Sequence, residues 1–336
     1  MLSSTKLLEF ASNYGIPVWA LDGAIAIVFA VVLFAICAIS VIINVYLLRK
    51  ISADFQLRYG PMHVGWHGSL QLFADAIKLL TKEDIFPSNA DRWIFRLAPV
   101  VTFVPAYLGF LVLPIGHGIV IQDLNVGLLY ILAIPAIGVA GIIMAGFGSY
   151  NKYAIIGSLR SAAQMVSYEV PRALSIIGIV MIAGSAKLSS IVGAQHVWYI
   201  ILQPIAFVVF LVSTLAEINS TPFDLPETES ELVNGYYTEY SGMRFMFFFF
   251  AEYVALFAAA TLTTVLFLGG WHGPGPEYLG PIWFTIKTFA MIWVIMWIKW
   301  TLPRFRIDQV MDLGWKVLLP LALINVLITG LVMMII

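Results

Sequence analysis

LVSTLAEINSTPFDLPETESELVNGYYTEYSGM (211–243) joins two apolar runs, and its charges decide how the chain on either side is read. It carries Glu217, Asp224, Glu227, Glu229, Glu231 and Glu239, with no Lys or Arg before Arg244. Carboxylates this close oppose one another's ionisation. The arrangement is costly unless the charge is used or a partner neutralises it; a merely solvated acidic loop is the plain alternative. The flanking runs, near 197–217 and 240–268, are each long enough to cross a bilayer, for which about 20 apolar residues are needed. The stretch therefore reads as an acidic loop (217–243) between two membrane spans.

Composition extends that reading to the whole chain. Of 336 residues, 61% are hydrophobic and 11% charged, with mean hydropathy +0.93. A soluble domain has roughly 25% charged residues. Six more spans fall near 20–47, 98–119, 127–147, 161–185, 281–301 and 314–335. The expected fold is an all-α polytopic membrane protein of one membrane domain, with eight transmembrane helices and both termini on one side. The first run is too long and too late for a cleaved signal peptide and reads as a retained span. Fifteen of the 18 Lys and Arg residues fall in or beside the loops after spans 1, 3, 5 and 7. Lys6 and Lys187 lie on the other side, and Lys287 sits within span 7. The positive-inside rule places the basic loops in the cytoplasm or its equivalent and both termini outside. The single Cys37 excludes a disulfide framework and any metal or iron–sulfur site built from cysteine. Net charge −1 leaves no basic footprint for nucleic acid.

The first inner loop holds WHGSLQLFADAIKLLTKE (66–83). Its Leu70, Phe73, Ala74, Ile77 and Leu80 recur at helical spacing, with Asp75, Lys78 and Lys82 largely opposite. It is too short and polar to span, and reads as an amphipathic helix in the interface. His63 and His67 are four apart, as zinc ligands on a helix would be, but Gly and Pro around them argue against a helix and no acidic ligand follows closely. No metal site is expected.

Span 4, SAAQMVSYEVPRALSIIGIVMIAG (161–184), carries Gln164, Ser167, Tyr168, Glu169 and Arg172 in its first half. Glu169 and Arg172 are three apart and can pair on one helix face, and Pro171 should kink the helix. Two readings stand: a structural ion pair near the interface, or a proton-relay carboxylate facing the bundle interior. Glu252 lies among aromatics in span 6, and Lys287 in span 7. Charges in lipid find partners inside the bundle, so Glu169, Glu239, Glu252 and Lys287 could all turn inward. The Trp residues at 271, 283, 293, 297, 300 and 315 read as interfacial belt and packing. There is no Walker loop and no G-x-G-x-x-G, and GPGP (273–276) lacks the spacing. Nothing in this chain is expected to bind NADH, a flavin or ATP.

Five stretches are specific enough to suggest a family: QLRYGP (56–61), LQLFADAIKLLTKE (70–83), NKYAIIGSLRSAAQMVSYE (151–169), PFDLPETESELVNGYYTEYSGM (222–243) and LPRFRIDQVMDLGWK (302–316). Over nearly its whole length the chain resembles the H subunits of proton-pumping NADH–quinone oxidoreductase, respiratory complex I. Membrane subunits of hydrogenases and related quinone-reducing complexes are more distant relatives. The resemblance implies an eight-helix subunit under the peripheral redox arm, forming the membrane side of a quinone chamber. It also implies a file of carboxylates leading toward the pumping subunits. Carried over by motif, that file is Glu169, Asp224, Glu227, Glu231 and Glu239, with Glu217 and Glu252 at less uniform positions. Arg49, Arg58, Asp75, Lys78, Arg304 and Arg306 match polar positions around the quinone chamber and its entrance. Quinone would be the substrate. Iron–sulfur clusters, FMN and NADH would sit on partner subunits, among them peripheral quinone-site subunits, small membrane subunits and antiporter-like subunits. The setting implied is a bacterial inner membrane, an organellar one being the alternative.

Four positions depart from the family pattern: Leu48 stands where Glu is usual, Ser220 and His63 where basic residues are usual, and Tyr237 where His is usual. Leu48 and Ser220 read as the paired loss of one ion pair. Closely spaced carboxylates have coupled titrations, so a charge change at one end of such a row can shift proton affinity along it. Three other functions compete: a membrane anchor in a complex with another electron donor, a stand-alone ion transporter, and a passive anchor. No internal repeat or paired broken helices support the transporter, and the cost of the loop carboxylates counts against the passive anchor.

Overall fold

The computed structural model describes residues 18–226 and 229–335, and every regular element among them is helical. Lys6 and Glu227 lie outside the described residues. In chain order the helices are α1 (Val18–Phe55), α2 (Gln71–Thr81), α3 (Arg92–Gly109), α4 (Gly127–Gly148) and α5 (Lys152–Ala183). There follow α6 (Leu188–Gly193), α7 (Pro204–Glu217), α8 (Gly242–Phe267), α9 (Gly280–Thr301) and α10 (Ile307–Ile335). A π-helical segment, Leu313–Leu318, interrupts α10.

Among the described residues, six helices are long and apolar enough to cross a membrane: α1, α4, α5, α8, α9 and α10. The expected spans near 98–119 and 197–217 take a different form. The first is α3, 18 residues long, or about 27 Å at 1.5 Å per residue, and Arg92 and Arg96 in its opening turns lower its apolarity. The second is broken: a single turn at Tyr199–Leu202 ends at Gln203, whose ψ of 63° is not helical, and Pro204 opens α7. The proline ring disfavours helical geometry in the residue before it. Side chains supply the helix starts. Asp91 Oδ1 accepts from the amides of Trp93 and Ile94 at 3.0 and 3.3 Å, and Asn151 Oδ1 from that of Tyr153 at 2.9 Å.

The helices pack through small residues. α4 lies along α3 so closely that a methyl at Gly141 would sit 2.7 Å from the Thr102 amide nitrogen. This is how helices approach when no hydrophobic effect drives them together. α5 packs on α4, α7 and α10, while α8 packs on α3, α9 and α1. Large apolar side chains such as Val31, Ile137 and Leu327 point outward, as a lipid-facing surface requires.

Contacts define two ends. At one, Arg49 meets Asp75, Arg244 meets Asp84 and Arg304 meets Asp224, gathering the basic loops. At the other, Lys187 meets Asp123 at 2.8 Å, and Gln195 reaches the carbonyls of Val265 and Leu266. The amphipathic helix expected over 66–83 forms only over Gln71–Thr81. Gly65, His67 and Gly68 have positive φ, so Trp66–Gly68 makes a separate 3-10 turn. No residue of α2 is buried, and Phe73, Ile77 and Leu80 form an exposed apolar stripe.

Candidate functional site

A partly open cavity of about 130 Å3 lies between α3, α4, α5, α7 and α8. Most of its wall is apolar: Pro105 and Ala106 from α3, Ile131 and Pro135 from α4, and Ala255 and Leu262 from α8. Three ionisable groups enter it, Arg172 from α5, Glu217 from the last position of α7, and Glu252 from α8. Thr102, Thr214, Asn219, Tyr236 and Tyr237 complete its polar lining.

Arg172 forms its ion pair with Glu217, and both side chains are nearly buried, at 6% and 11% exposure. This corrects the expected pairing with Glu169. The i,i+3 spacing allows that contact, but α7 brings a carboxylate from another helix directly onto the guanidinium. Glu169 acts on Arg172 only as a further nearby negative charge. Glu252 faces Lys299 of α9 at 4.0 Å, and Asp224 is near enough for its charge to act on Glu252. Asp224 is in turn held by Arg304 at 2.9 Å. Glu217, Glu252 and Asp224 thus run from the cavity toward the basic end.

Glu231 and Glu239 stand apart from the cavity, at the basic end. Glu231 pairs with Arg160 of α5 at 2.6 Å. Glu239 accepts from Asn151 Nδ2 at 2.7 Å and lines a shallow recess with Pro87–Asn89 and Ser149–Tyr153. Asn151 caps α5 with its oxygen and holds Glu239 with its nitrogen, so the start of α5 and the acidic loop share one anchor.

The loop is held in place mainly by a residue to which the sequence assigns no such role. Gln164 Nε2, buried in α5, donates to the carbonyls of Ala216 and Phe223 at 2.6 and 2.8 Å and to Asn219 Oδ1 at 3.1 Å. Asn219 donates onward to Ser161 Oγ at 3.1 Å. Further along, Gly235 has φ of 54° and its Cα would lie 2.8 Å from a methyl at Gly157. That close approach seats the 3-10 turn Gly235–Tyr237 on α5. Tyr236 Oη donates to Tyr237 Oη at 2.7 Å, both rings being buried. A polar residue in the middle of an apolar run was the available signal for Gln164; nothing local marked its partners.

The residues expected around a quinone chamber are only partly gathered. Arg49 and Asp75 pair at 2.8 Å and tie the end of α1 to α2. Arg306 pairs with Asp308 at 3.2 Å on the surface, Arg58 donates to Gln56 at 2.6 Å, and Arg58 and Lys78 are exposed. Lys287 does not join the acids: it lies at the opposite end of the bundle, on backbone carbonyls. Among the described residues no cluster of three or more His, Cys, Asp or Glu could hold a metal ion. Leu48 packs among apolar neighbours, and Ser220 is buried in the loop with its amide on the Leu215 carbonyl at 3.2 Å.

A family model described as NADH dehydrogenase matches residues 27–330, an interval that takes in the cavity and every acid paired above. The chain is 50% identical over 305 residues to the NADH-quinone oxidoreductase H subunit of Dehalococcoides mccartyi, covering 90% of this chain and 86% of that one. It is 46% identical over 342 residues to the H subunit numbered 1 in Geobacter sulfurreducens, with 95% and 97% covered. With the H subunit of a Geobacillus species it shares 48% over 335 residues, 97% and 98% of the two chains.

Proposed function

Because the chain belongs to the NADH dehydrogenase family, among the H subunits of NADH-quinone oxidoreductase, we propose that it couples quinone reduction to proton movement within such a complex. In this reading α3 and the broken 199–217 segment complete eight crossings. The basic end faces the cytoplasm of a bacterial inner membrane and meets the peripheral redox arm. Quinone is the substrate. NADH, FMN and iron–sulfur clusters belong to partner subunits, and antiporter-like subunits continue the membrane arm.

The observation that carries the reading is the cavity that Arg172, Glu217 and Glu252 line together, linked through Asp224 to Arg304 at the basic end. A buried ion pair with a second carboxylate beside it is an expensive structure, and ionisable groups inside a membrane bundle mark ion pathways. Quinone reduction takes up two electrons and two protons, so charge at the basic end changes while the electrons precede the protons, and on any side chain that supplies a proton. The acids nearest that end, Asp224 and Glu231, sense the change through Arg304 and Arg160, and Glu252 senses Asp224. Coupled titration passes the effect into the cavity.

The test is the complex that copurifies with the tagged chain in mild detergent, reconstituted into liposomes. NADH–quinone activity with proton translocation is expected, and Glu217→Gln or Glu252→Gln should lower translocation about tenfold or more in assembled complex. Variants that pump like the parent would overturn the role given to the cavity. Membrane partners without NADH oxidation would assign another electron donor.

A further inference from the structure

At the end of the bundle away from the acids, α8 stops at Phe267 and the chain turns through Leu268–His272. Gly269 and Gly270 have positive φ, which folds the turn back on itself. Its carbonyls converge on one group. Lys287 Nζ, from α9, donates to the carbonyls of Leu268 at 2.7 Å, Gly270 at 3.1 Å and His272 at 2.5 Å. The ammonium also lies 5.1 Å from the centre of the Trp198 ring. Gln195 Nε2 takes the two preceding carbonyls, Val265 and Leu266. All hydrogen-bond partners of Lys287 among the described residues are neutral, whereas Lys187 at the same end is balanced by Asp123. Between this turn and the acid cavity lies an apolar layer that includes Val265, Leu266, Phe267 and Phe284, all at most 3% exposed. Beneath it are Leu262 and Ile131, which already belong to the cavity wall.

Converging carbonyls at a helix C-terminus replace the hydration shell of a small cation and carry partial negative charge. Left open on the aqueous side, such a cage would concentrate protons and alkali ions over the seal of the acid cavity. We propose that Lys287 is a tethered cation that fills this cage and closes the cavity to cations from the outer side. A fixed positive charge in a partly desolvated turn repels a second cation far more than it would in water. The bonds to three carbonyls hold it over the apolar layer. The inference rests on the orientation proposed above, with this end outside.

The test uses the whole complex in liposomes without substrate. A potassium diffusion potential is imposed with valinomycin, and inward proton leak is followed with an internal pH dye. Lys287→Ala empties the cage. Lys287→Gln keeps two donors and removes the charge, so it decides the matter if the alanine variant does not assemble. Lys287→Arg keeps the charge. Leak should rise about tenfold in the Ala and Gln variants and stay at the parent level in Arg. Unchanged leak in assembled Ala or Gln complex would overturn the proposal. So would a rise in Ala alone, which would assign the seal to packing rather than charge. A failure of the family reading would show separately, as a parent complex without NADH–quinone activity.

Discussion

Replacing Arg172 with Met should destabilise the folded protein by about 3–5 kcal/mol, the usual cost of removing one partner from a buried ion pair. The size follows from the site. Arg172 and Glu217 are 6% and 11% exposed, so solvent does little to screen the carboxylate left behind. Two features favour the lower end of the range. Arg172 Nε and Nη2 make no hydrogen bond among the described residues, so the native pair is itself incompletely compensated. The cavity also gives the side chains beside Glu217 room to rearrange. At about 3 kcal/mol the folded population shifts roughly a hundredfold. Adding Glu217→Gln should return about 2 kcal/mol or more, because a neutral pair leaves no buried charge uncompensated. The assay is a double-mutant cycle on intact complex, scored as the fraction surviving heat treatment on native gels and as the amount assembled in membranes. The double variant should assemble yet not translocate protons, since both charges of the cavity pair are gone. If it is as unstable as Arg172→Met alone, the two side chains are not energetically coupled and the site has been misread.

Two further changes probe how the acidic loop is seated. Gln164→Leu removes the amide that bonds the carbonyls of Ala216 and Phe223, which keep their backbone donors Asn219 and Leu225; at about 0.5–1.5 kcal/mol for each lost hydrogen bond, faster hydrogen exchange over 216–225 is expected while the helices stay protected. Gly157→Ala places a methyl 2.8 Å from Gly235 Cα, and overpacking of this kind costs about 1–3 kcal/mol; the Gly235–Tyr237 turn should lift and proton translocation should fall, whereas Gly193→Ala, away from the cavity and with nothing within 4 Å of the new methyl, should be neutral.

Much of this architecture could be read from the residues themselves because the bilayer imposes one rule throughout: long apolar segments become helices, and basic loops collect at one end. That rule places α1, α4, α5, α8, α9 and α10, and gathers the loops carrying Arg49, Arg244 and Arg304. It is weaker where a local feature competes with length. Pro204 interrupts the fifth expected span, and the positive φ values at Gly65, His67 and Gly68 delay α2 until Gln71. Side-chain pairing was the least legible part. Spacing along α5 put Glu169 within reach of Arg172, but the partner is Glu217, 45 positions away on a helix whose approach no local pattern encodes. Lys287 looked like a counter-charge for buried acids, because hydropathy records depth and not the direction in which a long side chain reaches.

The structure also resolves the difficulty posed by a run of carboxylates with no basic residue among them. Four of the acids have a cationic partner from another element. Glu217 has Arg172, Asp224 has Arg304, Glu231 has Arg160 and Glu252 has Lys299. Glu239 is held by the neutral Asn151. Glu217, Asp224 and Glu231, like charges in sequence, are therefore each set beside a cation in space, which lowers the repulsion among them. The partners come from α5, from α9 and from the segment after it, so every pair is also a mechanical tie between two elements. Neutralising one acid does two things at once. It frees a cation to act on the next acid, and it loosens the contact that fixed a helix against the loop. An isolated buried carboxylate could do the first of these only. In the proposed function, a row of acids paired with other elements would let a charge change at the basic end alter both the proton affinity and the packing of the cavity that Glu217 and Glu252 line.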